Sequence, residues 1–242
     1  MNQAEKLAIY RAQTQNVRSL RADMQQVRRV LNESLRLNNT TQTVAFTKIY
    51  ALTFCSWAEA NFSKVLHTPY GFSLSEIAQV QAAKANGIAM AWKKCLHLGL
   101  RHLDARRGSF LPNTKKKIES LVDLYVFDPA SIRNKLAHGQ WVIALNRTNE
   151  AVNKELTEKL LHLDLVKIER WISGHLILSS AVETLIESPN RAFMRDWNIF
   201  VADIEEQFSN VNQRTIEIHI ANLLQKFDAS NARAKRGHSI RA

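Results

Sequence analysis

A chain of 242 residues is long enough to bury a substantial core, as one large domain or two small ones. Apolar residues at 45% and charged residues at 23% are ordinary for a globular protein, and seven Gly with four Pro are too few for a turn-rich all-β fold. The net charge of +11, from 33 Lys and Arg against 22 Asp and Glu, speaks to partners: nucleic acid first, an anionic membrane surface second, a basic surface with no particular partner third.

Cys55 and Cys95 sit in apolar-periodic runs without metal-ligand or redox spacing, which reads as reduced core residues in a cytoplasmic protein. Residues 1–6 lack a basic stretch followed by an apolar run, so no signal peptide is expected. The least polar long run, Trp171 to Val182, spans only twelve residues and is too short to cross a bilayer.

In chain order, residues 4–37 read as one long helix, with Tyr10, Val17, Met24 and Leu31 recurring every seven residues. Arg11, Arg18, Arg29 and Arg36 are separated by 7, 11 and 7 residues. At the helical repeat they fall within about 20° of one line, a basic stripe roughly 38 Å long. It is either a solvated face or a phosphate-tracking surface. Asn38-Asn39-Thr40-Thr41 breaks the pattern and caps a second helix, about Gln42 to Leu66, with Val44, Ile49, Leu52, Trp57 and Phe62 as core candidates. Ser73-Leu74-Ser75-Glu76 is a capping box that opens a third helix, expected to reach about Leu103.

A second basic concentration follows: Lys93, Lys94, Arg101, Arg106, Arg107, Lys115, Lys116 and Lys117, facing Asp104 as the one nearby acid. A short helix from Lys115 to Tyr125 leads to Asp128-Pro129, where the aspartate is expected to cap a new helix and the proline to occupy its first position. That helix should end near His138, terminated by Gly139. Gln140 to Leu145 is the best strand candidate, and Asn146-Arg147-Thr148-Asn149 can turn it into a short hairpin. A long helix from Asn153 to Glu187 and one or two further helices to Phe227 complete an all-α bundle. Nothing divides residues 1–228 into two domains, and residues 229–242, with Arg233, Lys235, Arg236, Arg241 and no acid, read as a disordered basic tail.

The stretch Asp128 to Gly139 carries the chemistry. Arg133 and His138 are five apart, but so are Arg170 and His175, Arg214 and His219, and Arg233 and His238, so the spacing alone selects nothing. What distinguishes the first pair is its context, Arg133-Asn134-Lys135-Leu136-Ala137-His138-Gly139. This string resembles the Arg, polar residue, short spacer, His signature of the HEPN superfamily, in particular its bacterial toxin and defence branches. The resemblance covers about a dozen residues. It implies a helical bundle that forms a homodimer with two motifs facing each other, and metal-independent cleavage of RNA without a cofactor. An antitoxin or other regulatory partner is also implied. Some toxin members carry a modifiable Tyr two residues after the His; here that place is Gln140.

The residue chemistry is consistent with that expectation. Asn134 and His138 lie four apart on one helical face, where the amide can hydrogen-bond the imidazole. Arg133 lies about 140° around the helix from His138, which favours a site shared between two copies. Arg133, Asn134 and His138 are therefore the candidate catalytic residues. Arg11, Arg18, Arg29, Arg36, Lys93, Lys94, Lys115, Lys116 and Lys117 are the candidate RNA contacts. The rival expectation is a non-catalytic helical module that binds nucleic acid or a nucleotide-handling partner. Glu59 can place a carboxylate near the site but reads most simply as surface; His97, His102 and Cys95 lack metal-ligand spacing, so no metal is expected. Asp196, Asp203, Glu205 and Glu206 read as a solvated acidic patch.

Overall fold

Asn2 opens the first helix by accepting the Glu5 N–H at 2.9 Å, while the Glu5 carboxylate accepts the Asn2 N–H at 2.8 Å, a reciprocal cap. In the computed structural model, which describes residues 1–104, 109–209 and 213–239 with side chains to Ala229, this helix is α1, Gln3–Arg36. Asn38 adopts a left-handed φ of 54°, and Asn39 caps α2, Thr40–Leu66, so the two long helices fold back on each other and pack along their length. The free end of α1 is pinned as well. The buried Lys6 ammonium donates to the Phe72 carbonyl at 2.8 Å and the Pro69 carbonyl at 3.2 Å, in the turn after α2.

The Ser73 capping box forms in both directions. The helix it opens is shorter than the sequence predicts: α3, Leu74–Lys84, stops at Asn86-Gly87, and α4, Ile88–Arg101, begins anew. Gly87 has φ +106°, a backbone conformation that side chains disfavour and that cannot continue a helix.

The motif region also differs from expectation. α5, Phe110–Val122, a π-helical turn, Asp123–Phe127, and α6, Asp128–Ala137, form one continuous helical run. Asp128 is therefore not a cap; its backbone is helical, and its carboxylate accepts from the Lys159 ammonium at 2.8 Å. Pro129 explains the π turn. Inside a helix it has no N–H for the Tyr125 carbonyl and its ring presses on that carbonyl, so the preceding turn widens. α6 ends as the sequence predicts. Gly139 takes φ +76°, its N–H donates to Leu136 and the Gln140 N–H to Lys135, a Schellman closure around His138.

The predicted strand at 140–145 does not form, and no strand occurs among the described residues. Leu145 and Val152 make one isolated antiparallel bridge. No neighbouring strand exists to pair with this run, and Val142 and Ile143 are exposed. Side chains serve its backbone instead: the Gln140 amide oxygen accepts from the Leu145 N–H at 2.8 Å, and the Lys135 ammonium donates to the Leu145 carbonyl at 2.6 Å.

The predicted helix from 153 to 187 is two helices, α7, Lys154–Leu161, and α8, Leu165–Glu187, because Asp164 caps the second by accepting from the Lys167 N–H. α8 contributes buried residues along its whole length, from Leu165 to Ile186, and packs against α2, α4, α5, the π turn and the next helix, α9, Met194–Ser209. The last helix, α10, Ile216–Ser239, lies along α1 and continues across most of the span read from sequence as a disordered tail; residues 240–242 lie outside the described residues. Among the described residues no helix is long and apolar enough to cross a membrane.

The π turn seats closely on α8. A Cβ added at Gly174 would stand 2.3 Å from the Tyr125 ring. Gly174→Ala is expected to destabilise the protein by about 1–3 kcal/mol through overpacking, read as a lowered urea midpoint with unchanged slope.

Candidate functional site

α6 is held to the bundle by Pro129, Ile132 and Leu136, all buried, which leaves Arg133, Asn134 and His138 on its outer side. It runs beside α2. The Cys55 thiol meets the Pro129 carbonyl at 3.6 Å, and one turn further along both helices the Glu59 carboxylate meets the Arg133 guanidinium at 3.1 Å. Glu59, read from the sequence as plain surface, is thus part of the motif's surroundings. Only the register between the two helices brings it there, and a single sequence does not encode that register visibly.

Arg133 also donates to the Asn134 side-chain oxygen at 3.2 Å. The expected pairing of Asn134 with His138 is not formed. The amide oxygen is taken by Arg133, and His138, as the residue closing the helix, has left helical geometry with ψ of 19°. His138 is exposed, and among the described residues its imidazole makes no hydrogen bond or ion pair. The Arg133 and Asn134 side chains are brought together; His138, whose backbone N–H donates to the Asn134 carbonyl at 3.2 Å, follows at the helix end without a side-chain bond to either.

Arg133, Asn134 and Glu59 stand at the rim of a cavity of about 720 Å³ between α2, α4, the π turn and α6. Phe54, Trp92 and Val126 line its walls, and Cys55 and His175 belong to its deep side. Lys93, one of the predicted RNA contacts, lies at the same cavity and pairs with Asp123 at 2.7 Å.

The deep side holds an unusual polar group. His175 is 1% exposed, caged by Trp57, Trp92 and Phe54 with ring centroids 5.3, 5.5 and 6.0 Å away. Among the described residues, neither of its nitrogens has a hydrogen-bond partner, and the same holds for the indole nitrogens of Trp57 and Trp92. Each buried polar atom left so costs about 1–3 kcal/mol. Burial pushes the His175 imidazole down to about 4, which the nearby Tyr125 carbonyl offsets only in part. Burial likewise pushes the Cys55 thiol up to about 12, with Arg133 opposing and Glu59 reinforcing the shift, so Cys55 is no nucleophile at neutral pH.

The other predicted contacts are dispersed. Arg11, Arg18 and Arg29 are exposed along α1, but Arg36 is half-buried, stacked 4.1 Å over the Phe227 ring of α10. Lys94 is half-buried, Lys116 exposed, Lys115 lies 3.9 Å from Glu119, and Lys117 bonds Glu205 at 2.9 Å. The Lys93–Lys117 cluster thus meets acids other than Asp104: Asp123, Glu119 and Glu205. Arg106 and Arg107 lie outside the described residues. Of the acidic patch, Asp196 holds Arg195 and Glu205 holds Lys117. His102 bonds Glu76 at 2.6 Å, and Cys95 is buried in the core.

Comparison with protein-family models, curated proteins and solved structures finds no match to this chain.

Two outcomes follow from the geometry. His175 is neutral when folded and protonates more readily when unfolded, so its contribution to stability is present above pH 6.5 and is lost as pH falls towards 4. The loss is at most about 3 kcal/mol, and urea midpoints against pH should show it in wild type and not in His175→Phe. Glu59→Gln should change stability by less than about 1 kcal/mol, because both partners of the Arg133 pair are about 40% exposed.

Proposed function

We propose that the chain is a HEPN-like, metal-independent endoribonuclease of bacterial toxin or anti-phage defence type, acting as a homodimer in the cytoplasm. The observation that carries this reading is the presentation of the motif. His138 is exposed with no partner among the described residues, on a helix end rigidly closed by Gly139. Large exposed apolar side chains stand at both ends of α6, Leu124 and Phe127 before it and Val142 and Ile143 after it, apolar surface that a second copy could cover.

In the proposed reaction the RNA 2′-oxygen attacks the adjacent phosphorus and the bond to the 5′-oxygen breaks, giving a 2′,3′-cyclic phosphate and a 5′-hydroxyl. One His138 accepts the 2′-proton, and its counterpart in the second copy protonates the departing 5′-oxygen. Arg133 supplies forked donors to the charge that develops on the phosphorane oxygens. Within one chain Arg133 is engaged by Glu59 and Asn134, and no hydrogen bond among the described residues links it to His138, which favours a site completed by a second motif. The exposed arginines of α1 and Lys116 contribute sequence-independent attraction to phosphates.

One observation favours a second reading. Glu59 pairs with Arg133, as suits a non-catalytic module that binds nucleic acid or a nucleotide-handling partner.

The two readings separate on incubating wild type and His138→Ala with RNA and the matching DNA in EDTA. Cleavage of RNA alone, with cyclic phosphate ends, reduced by about 10²-fold or more in His138→Ala, is expected. Equal cleavage by both proteins removes His138 from the reaction, and no cleavage by wild type leaves the binding module. Sedimentation should show a dimer; a strict monomer defeats the shared site. Arg11→Ala, Arg18→Ala and Arg29→Ala combined should weaken single-stranded RNA binding and flatten its log–log salt dependence by about 2.

A further inference from the structure

We propose that the cavity beside the motif is a binding site for a small organic anion with a flat, largely apolar body. This stands apart from the ribonuclease reading, since it concerns what fills the cavity and not what His138 does.

The space is real for a small molecule. At about 720 Å³ it falls in the range of ligand pockets, and it is bordered by the break between α3 and α4 at Asn86-Gly87 and by the π turn. Its walls are chiefly apolar, and Phe127, a lining residue that is largely exposed, offers a ring face suited to a flat partner beside Ile88, Ala89 and Met90.

Charge at the mouth indicates the sign of the ligand. Lys84, Lys93 and Arg133 face Glu59 and Asp123, three cations against two carboxylates. Lys93 and Arg133 are paired, whereas Lys84 is exposed and makes no ion pair among the described residues. Arg133 uses donors on Glu59 and Asn134 and has others to offer, and Lys84 lines the same cavity, so both cations are available to an entering anion.

The test uses the full-length protein and 8-anilinonaphthalene-1-sulfonate, a flat aromatic anion whose fluorescence rises on leaving water. Saturable binding of one equivalent is expected. Ala130→Trp and, separately, Ala89→Trp place an indole at the cavity and should each weaken binding by about tenfold or more, provided that thermal melting shows the variant folded. Lys84→Gln combined with Arg133→Gln should weaken binding of this anion while leaving that of uncharged N-phenyl-1-naphthylamine unchanged. Non-saturable binding, or binding indifferent to both tryptophan variants, overturns the site; equal loss of the charged and uncharged probes overturns its preference for anions. Because binding is read without RNA, a protein that takes the probe but cleaves nothing loses only the ribonuclease reading.

Discussion

A proline inside a helix has no N–H to give, and in this chain that deficit shapes everything around the motif. Pro129 widens the turn before it into a π turn and leaves the Tyr125 carbonyl without its usual helical partner. The displaced turn seats Tyr125 against Gly174 and forms one wall of the cavity. Arg133 and Asn134 follow one turn later at the rim. An alanine in place of Pro129 would let the helix run regularly, and the wall would have no reason to stand where it does.

Much of the fold was legible in the sequence because it is written in local chemistry. The end of α1, the Ser73 box and the Gly139 closure each rest on a side chain or backbone preference acting within a few residues. The errors came from local signals that tertiary structure reassigns. Asp128 has the residue type of a cap but is used as the partner of Lys159, and Asp164, inside an apolar-periodic run, proved to be the cap. Gln140 to Leu145 has the composition of a strand, but a strand needs a neighbour, and none is supplied.

The site was legible in part. The sequence singled out Arg133, Asn134 and His138 by their context, and the chain does present all three at the surface of one helix and its cap. It could not show that Asn134 would turn to Arg133, nor that His175, one of the three dismissed Arg-to-His pairs, would sit caged beneath the motif. Both depend on how distant helices meet. The basic stripe illustrates the same limit: helical geometry aligned four arginines, and α10 then covered one of them.

The paired contacts between α2 and α6 carry a consequence for how such a protein can change over time. Cys55 meets Pro129, and four residues on in both helices Glu59 meets Arg133, so the two segments are in step. Inserting or deleting one residue between Cys55 and Glu59 would swing Glu59 by about 100° and carry it away from the guanidinium. Length changes in this part of α2 are therefore closed to drift unless α6 changes with it. Relatives that keep the motif should tolerate substitutions along these turns far more readily than gaps.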